Sequence, residues 1–350
     1  MLNQSFFRFY TGLLVLIVLS VGSFSLAQEN SEEGQFLGAK ETVMPDWFKE
    51  SFLEFEEDIA EAAAEDRRLM LFFHQEGCPY CNALVEHNFA QKDIYDTVRE
   101  KLDVVAINMW GDLDVVHVGG KSFTEKTLAE ALRVNYTPTL LFFDEQGKVA
   151  LRLDGYYPPD QFRLALDYVN QRKEKEIEYN DYLAAVSPPA QEGELNAQSF
   201  FMQPPYELAR GKDARPLAVF FEQKQCEQCD VMHQNTLSST GTRELIEQLD
   251  TVQLDMWVDT PLVTPKGVET TAREWANSLG VKFAPSIVLF DRTGKEVMRT
   301  DGFLKTFHLQ TVFDYVLTAG YEKEPNFQRY LSARSEALRE KGIDVDIWDY

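Results

Sequence analysis

Apolar and polar positions along the chain predict one series of elements that occurs twice. The run at 69–73 is continuously apolar, which favours a strand buried on both faces. Apolar residues at 84, 85 and 89 then have the spacing of an amphipathic helix. In chain order, the first half is predicted to contain a helix over 46–68, a strand over 69–73, a helix after 81, a strand over 104–107, a helix over 123–132, strands over 139–143 and 149–153, and a helix over 161–169. This alternation of strands and helices is typical of an α/β fold.

The second half of the chain repeats the first. A shift of 147–148 residues places Cys78 and Cys81 on Cys226 and Cys229. Other identities in this register are Phe72-Phe73 with Phe220-Phe221, Met109-Trp110 with Met256-Trp257, and Asp154-Gly155 with Asp301-Gly302. A repeat of this length is too long for a solenoid and predicts two copies of one domain.

The first 27 residues resemble a secretory signal peptide. Residues 9–27 are uncharged and mostly apolar, and they end in small residues at Ser25 and Ala27. We therefore predict a periplasmic protein with no membrane segment after cleavage. The alternative is that 9–27 remain as a membrane anchor that leaves the rest of the chain facing the periplasm.

Changes in composition and spacing set the domain boundaries. The predicted organisation is a signal peptide at 1–27, a flexible leader at 28–44, a first domain at 45–172, a linker at 173–198, a second domain at 199–319 and a C-terminal helical tail at 320–350.

The charge of the chain excludes one class of partner. It has 34 Lys and Arg against 57 Asp and Glu, a formal net charge of −23. Because phosphate binding needs a basic surface, no nucleic-acid partner is expected. The four cysteines are too few for a disulfide-stapled scaffold, so their positions decide what they do.

All four cysteines lie in Cys-x-x-Cys pairs between a predicted buried strand and a predicted helix. Backbone N–H groups at a helix N-terminus stabilise a thiolate, and a two-residue spacer lets the two sulfurs form and break a disulfide. We predict that Cys78 is an exposed nucleophile and that Cys81 resolves the mixed disulfide. Cys226 and Cys229 form the second predicted catalytic pair. Glu227 disfavours a thiolate at Cys226, so we expect the second pair to be the more reducing one.

A proline precedes a predicted buried strand in each copy. Pro138 follows Cys78 and Pro285 follows Cys226 by nearly the same number of residues. We predict a cis peptide bond at both prolines, which would leave a backbone edge free to bind a peptide beside the disulfide.

With these motifs in place, both halves resemble thioredoxin-fold domains, and the whole is similar to the periplasmic SoxW-like thioredoxin group. The resemblance covers about 66–172 and 214–319. It implies two tandem domains, each with a central mixed sheet flanked by helices. It also implies a thiol-disulfide oxidoreductase with a reductive or isomerising bias, no bound cofactor, cysteine-containing protein substrates and an upstream redox partner. The substrate-binding residues that it implies are Pro79, Tyr80, Thr137, Pro138, Ala284 and Pro285.

The sequence departs from the thioredoxin pattern at two places. The family commonly has a buried acid six residues before the first cysteine, and here Phe72 and Phe220 occupy those positions. His74 and Glu76 are the nearest alternative proton acceptors, with water as a third. Gly77 and Gln225 replace the tryptophan that the family places before that cysteine.

Two other functions fit the same residues. The chain could be a peptide-binding or scaffolding module that kept the fold without turnover, with its cysteines in structural disulfides. Less favoured is a metal-binding protein, which would use His74, Cys78, Cys81 and His87, or Cys226, Cys229 and His233. We expect His87 and His233 to be solvated surface residues, so no metal site is predicted.

Overall fold

A computed structural model describes residues 33–211 and 213–349 of the chain. The predicted signal peptide at 1–27 lies outside these residues. Within them, no helix is both long enough and apolar enough to cross a membrane.

Among the described residues, the first half of the chain contains thirteen helices and strands, a π-helical turn at Leu84–Asn88 and a 3-10 turn at Lys173–Lys175. They are β1 (Phe36–Leu37), α1 (Phe55–Ala64), β2 (Arg68–His74), α2 (Pro79–Ala83), α3 (Lys92–Lys101), β3 (Leu102–Asn108), β4 (Asp114–His117), β5 (Lys121–Thr124), α4 (Glu125–Ala131), β6 (Thr139–Phe143), β7 (Val149–Asp154), α5 (Pro159–Asn170) and α6 (Tyr179–Val186).

The second half repeats this order without a counterpart of α1, and it adds a C-terminal helix and strand. Its elements are β8 (Tyr206–Glu207), β9 (Leu217–Glu222), α7 (Glu227–Gln234), α8 (Thr240–Ile246), β10 (Asp250–Asp255), β11 (Pro261–Val263), β12 (Glu269–Thr271), α9 (Ala272–Leu279), β13 (Ser286–Phe290), β14 (Glu296–Asp301), α10 (Thr306–Leu317), α11 (Gly320–Lys323), α12 (Phe327–Arg339) and β15 (Val345–Asp346).

Each half builds the same four-stranded mixed sheet. The order is β3-β2-β6-β7 in the first and β10-β9-β13-β14 in the second, and only the first two strands of each order are parallel. Alternate residues of β2 enter different cores, with Met70 and Phe72 on one face and Leu71 and Phe73 on the other. This two-sided burial explains the continuous apolar runs, and it confirms the predicted pair of α/β domains.

The predicted helix over 46–68 begins later than expected, at Phe55. Leu53 has a left-handed backbone with φ of 61° and cannot continue a helix. Phe52 is 96% exposed, and Trp47 and Phe48 pack against Phe89 from a turn. The apolar positions that predicted one longer helix therefore belong to two elements, a turn that contains Trp47 and Phe48 and the helix α1.

The two domains contact each other at the ends of β7 and β14, where the repeated Asp-Gly pairs lie. The Cα of Gly155 comes so close to this contact that a Cβ there would lie 2.9 Å from the carbonyl oxygen of Asp301. Gly155 donates its N–H to the carbonyl of Pro138, and Gly302 donates to that of Pro285. Each Asp-Gly turn therefore joins the domain contact to a proline loop.

The C-terminal segment also crosses to the first domain. Gln328 of α12 donates to the carbonyl of Asn135 at 2.9 Å and accepts from Gln75 at 3.0 Å. Strand β15 pairs with β1 in parallel, so residues near both ends of the described chain form one small sheet.

Gly155→Ala tests the domain contact. The substitution adds a methyl group to a residue with φ of 93° and forces it against the Asp301 carbonyl. We expect a loss of unfolding free energy about 1–3 kcal/mol larger than that of the control, because overpacking adds to backbone strain.

Gly119→Ala is the matched control, since Gly119 has φ of 87° and no heavy atom would lie within 4 Å of an added Cβ. Its expected loss is about 1–2 kcal/mol, the cost of the left-handed backbone alone. Urea denaturation measures both variants, and equal losses would contradict a close contact at Gly155.

Candidate redox site

The first cysteine pair forms a disulfide at the start of α2, with the two Cα atoms 5.3 Å apart. The strand β2 leads into this turn, and Cys78 caps the helix by accepting the N–H of Cys81 on its Sγ at 3.0 Å. The hydroxyl of Thr137 also donates to Cys78 Sγ, at 3.3 Å. Two donors therefore point at the sulfur on which a thiolate would form, and hydrogen bonds to a charged form favour it.

The proline loops lie beside the disulfides as predicted. The Thr137–Pro138 and Ala284–Pro285 peptide bonds are both cis. Cys78 Sγ is 3.4 Å from the carbonyl oxygen of Thr137, and Cys226 Sγ is 3.6 Å from that of Ala284.

The prediction that Cys78 is exposed is wrong, because only 4% of its surface is accessible. The cover comes from the second domain and the C-terminal segment. Tyr80 accepts the backbone N–H of Lys305 on its hydroxyl at 2.9 Å, and its ring packs edge-on against His308 and Trp348. Tyr80, implied as a substrate-binding residue, here binds another part of the same chain.

The second pair has the same local geometry. Cys226 and Cys229 form a disulfide with the Cα atoms 5.2 Å apart, and Cys226 Sγ accepts the N–H of Cys229 at 3.1 Å. Cys226 is 7% exposed. It lies beside a cavity of about 420 Å³ whose walls include the start of α5 and the linker at 187–190. Each disulfide therefore faces a segment from the other half of the chain.

The residue before each first cysteine has a left-handed backbone. Gly77 has φ of 70° and Gln225 has φ of 51°. A glycine adopts this conformation without strain, whereas a glutamine there is strained. The two sites are therefore held by turns of the same shape, with strain in the second one only.

A buried acid and a buried histidine occur together in the second domain only. Glu222 ends β9 with none of its surface exposed, and its Oε1 lies 2.9 Å from Nε2 of His233. His233 is 4% exposed, so the prediction that it is a surface residue is wrong. It lies one turn after Cys229 on α7, which places both on one face of the helix. In the first domain, His74 and Val85 occupy the equivalent positions.

This pair was not identified from the sequence, although one signal was present. Glu222 is the only ionisable residue in an otherwise apolar strand. Its Oε2 is buried with no hydrogen-bond partner among the described residues. In the first domain, the predicted proton acceptor His74 is half-buried, and burial lowers its pKa.

His233→Ala tests the dependence of Glu222 on its partner. The variant leaves a fully buried carboxyl group with neither oxygen bonded, which we expect to cost about 3 kcal/mol or more of unfolding free energy. The double variant Glu222→Leu/His233→Leu removes both polar groups and should recover most of that loss. Urea denaturation of the two variants checks this, and a double variant no more stable than His233→Ala would count against a paired dyad.

A half-buried carboxyl group, that of Asp301, lies at the domain contact. Burial is the main cause that raises the pKa of Asp301 to about 6, and the nearby charge of Asp154 adds to it. Arg299, Lys282 and a hydrogen bond from Ser286 act in the opposite direction. The equivalent Asp154 instead accepts two hydrogen bonds from Arg152 at 2.7 Å.

Asp301→Asn should stabilise the protein at pH 7.5 and change little near pH 4. The pKa of the Asp301 carboxyl group is near 3.8 in the unfolded chain and about 6 in the folded protein. Its contribution to stability is therefore fully present below pH 3.8 and is lost as the pH rises through about 6. The expected gain at pH 7.5 is about 3 kcal/mol, from roughly two pKa units.

Asp154→Asn is the matched control, and it should lose stability at pH 7.5 because it breaks the pair with Arg152. Thermal melts at both pH values measure these changes. A gain from Asp301→Asn that is equal at the two pH values would show that ionisation is not its cause.

The histidines proposed for a metal site are not gathered around the cysteines. Within 33–211 and 213–349, no three His, Cys, Asp or Glu side chains are grouped to hold a metal ion. His87 is exposed, and all four cysteines are in disulfides.

A family model described as a thioredoxin-like domain matches the chain twice, at residues 55–170 and 203–317. No curated protein matches the chain.

Solved structures similar to one half of the chain are thioredoxin-fold proteins. A thioredoxin-fold protein from Helicobacter pylori is 16% identical, with 39% of this chain and 89% of that chain covered and a TM-score of 0.34. A thioredoxin from Thermus thermophilus is 22% identical, with 39% and 87% covered and a TM-score of 0.26. A disulfide isomerase from Xylella fastidiosa Temecula1 is 14% identical, with 40% and 100% covered and a TM-score of 0.25.

Proposed function

Because the chain belongs to the thioredoxin-like domain family, we propose that it is a thiol-disulfide oxidoreductase with one redox-active pair in each domain. The observation that carries this proposal is the surroundings of Cys78. Its Sγ is bonded to Cys81, accepts a backbone N–H and a threonine hydroxyl, and lies beside a cis-proline loop. A purely structural disulfide needs none of these donors.

The proposed roles follow from the position of each sulfur. Cys78 and Cys226 cap their helices and have a little accessible surface, so they are the proposed nucleophiles. Cys81 and Cys229 are fully buried one turn into the helix and are the proposed resolving thiols. In the reduced enzyme, the thiolate of the nucleophile attacks one sulfur of a substrate disulfide, and the other substrate sulfur leaves as a thiolate. The resolving thiolate then attacks the nucleophile's sulfur in the mixed disulfide, which releases the reduced substrate and forms the enzyme disulfide again.

The proposed setting is the periplasm, with cysteine-containing proteins and an upstream redox partner as substrates and a reductive or isomerising direction. The apolar segment at 9–27 ends in small residues at Ser25 and Ala27, as the cleavage site of a signal peptide does, and this supports export. Pairing of all four cysteines agrees with an oxidising compartment.

One observation favours the alternative of a binding module without turnover. Both proposed nucleophiles are more than nine-tenths buried. A protein substrate can reach them only if the covering segments move.

Reduction of insulin by dithiothreitol separates the two functions. We expect the wild-type chain to accelerate it and the Cys78→Ser/Cys226→Ser double variant to lose the acceleration entirely. Each single variant then reports the activity of the remaining site. His87→Ser, a change at an exposed position six residues after Cys81, is the control and should match wild type. A wild-type rate equal to that of the double variant would reject the oxidoreductase in favour of the module.

A further inference from the structure

A cavity of about 150 Å³ lies against the first disulfide. Its walls come from both domains and from α12. The lining residues on which the argument depends are Cys78, Tyr136, Thr137, Asp301, His308 and Leu331.

Hydrogen bonds between the covering parts hold the walls of this cavity in place. Lys305 donates to Tyr80 on one side. On another side, Gln328 bridges Gln75 and the carbonyl of Asn135. Any substrate that reacts with Cys78 in this arrangement must fit into the space that the walls leave.

Two of the residues that line the cavity each have a buried polar atom without a hydrogen-bond partner. These atoms are the hydroxyl oxygen of Tyr136 and Nδ1 of His308, and neither has a partner among the described residues. Buried polar atoms are almost always paired, so two orphans at one cavity indicate that a ligand completes them. The carboxyl group of Asp301 adds a third polar group to the same walls.

The volume of the cavity limits the size of that ligand. An apolar cavity of about 150 Å³ in another protein holds one benzene molecule, which has six heavy atoms. A thiol of the size of cysteine or cysteamine therefore fits. A tripeptide thiol is about three times larger than cysteine, so part of it would have to lie outside the cavity.

We propose that the first site reacts with a low-molecular-weight aminothiol of the size of cysteine, with its sulfur at Cys78 and its polar groups on Tyr136, His308 and Asp301. The inference rests on the proposed function and names the substrate class of one of its two sites. An ammonium group suits the Asp301 carboxylate, and the other two groups can donate or accept.

The reaction uses the disulfide that the structure contains as its oxidant. The thiolate of the small thiol attacks Cys78 Sγ, the Cys78–Cys81 bond breaks, and Cys81 Sγ leaves with the electron pair and takes a proton. A second small thiolate attacks the ligand's sulfur in the mixed disulfide, and Cys78 leaves as a thiolate. Two small thiols are oxidised to one disulfide, and the enzyme disulfide is reduced to a dithiol.

The experiment measures how fast different thiols reduce the first disulfide in the full chain. The Cys226→Ser/Cys229→Ser variant isolates this site, and alkylation with mass spectrometry follows the reduction of Cys78 and Cys81. The probes are cysteine, glutathione and a reduced dithiol peptide. Their rates of reduction are compared at equal thiolate concentration. An oxidised peptide with the sequence of residues 76–83 contains the same disulfide without the cavity. It therefore gives the cysteine-to-glutathione rate ratio of the disulfide alone.

We expect the cysteine-to-glutathione rate ratio at the first site to exceed that of the peptide by at least about tenfold, the equivalent of 1.4 kcal/mol.

Tyr136→Phe should lower the rate with cysteine by about two- to tenfold, the range for one hydrogen bond, with a smaller effect on glutathione. Leu331→Ala should enlarge the cavity and bring the ratio back toward that of the peptide. The second site, isolated in Cys78→Ser/Cys81→Ser, has the larger cavity and should discriminate less.

A ratio equal to that of the peptide, or unaffected by both cavity variants, overturns the small-thiol site. A first site that reacts fastest with the dithiol peptide also overturns it, and the oxidoreductase then stands with protein substrates. A first site that no thiol reduces, in a variant whose circular dichroism shows it to be folded, overturns both proposals for that site.

Discussion

The contact between the ends of β7 and β14 is the constraint on which the rest of the structure depends. Gly155 lies so close to the backbone of the other domain that no side chain fits there. The same glycine donates its N–H to Pro138, and Gly302 does the same for Pro285. Because the cis-proline loops form part of both redox sites, joining the domains at this point turns each disulfide toward the other domain. Both cysteines are buried in this arrangement, with 4% of the surface of Cys78 and 7% of that of Cys226 exposed.

Duplication gave the two sites one backbone, and a few substitutions made them chemically different. Tyr136 is replaced by Phe283 in the second copy, which removes a hydroxyl group from the cis-proline loop. His74 is replaced by Glu222, which is paired with a buried histidine. The first site therefore has a tyrosine hydroxyl and a small cavity, whereas the second has an internal acid and a larger space. The two sites therefore differ chemically, although they share one backbone arrangement.

Much of the fold could be predicted from the sequence because it depends on local patterns. The two-sided apolar strands, the paired cysteines and the prolines before β6 and β13 are each visible within a few residues. The cover over Cys78 was missed because it comes from Lys305 and Trp348, more than 200 positions away. The role of His233 was missed because it depends on a contact with Glu222 in the preceding strand, outside its own helix. Contacts between different elements have no periodicity that a single sequence can show.

Closure of the domains and occupancy of the first cavity are thermodynamically linked, because they use the same side chains. Asp301 lies at the domain contact and in the cavity wall, where burial and the charge of Asp154 oppose its ionisation. Closing the domains therefore carries an electrostatic cost, which a cationic group in the cavity would reduce. A ligand that binds only the closed form stabilises it by RT ln(1 + [L]/Kd), while a protein substrate needs the open form. Small thiols and protein substrates would then compete through the domain contact even though their binding surfaces differ.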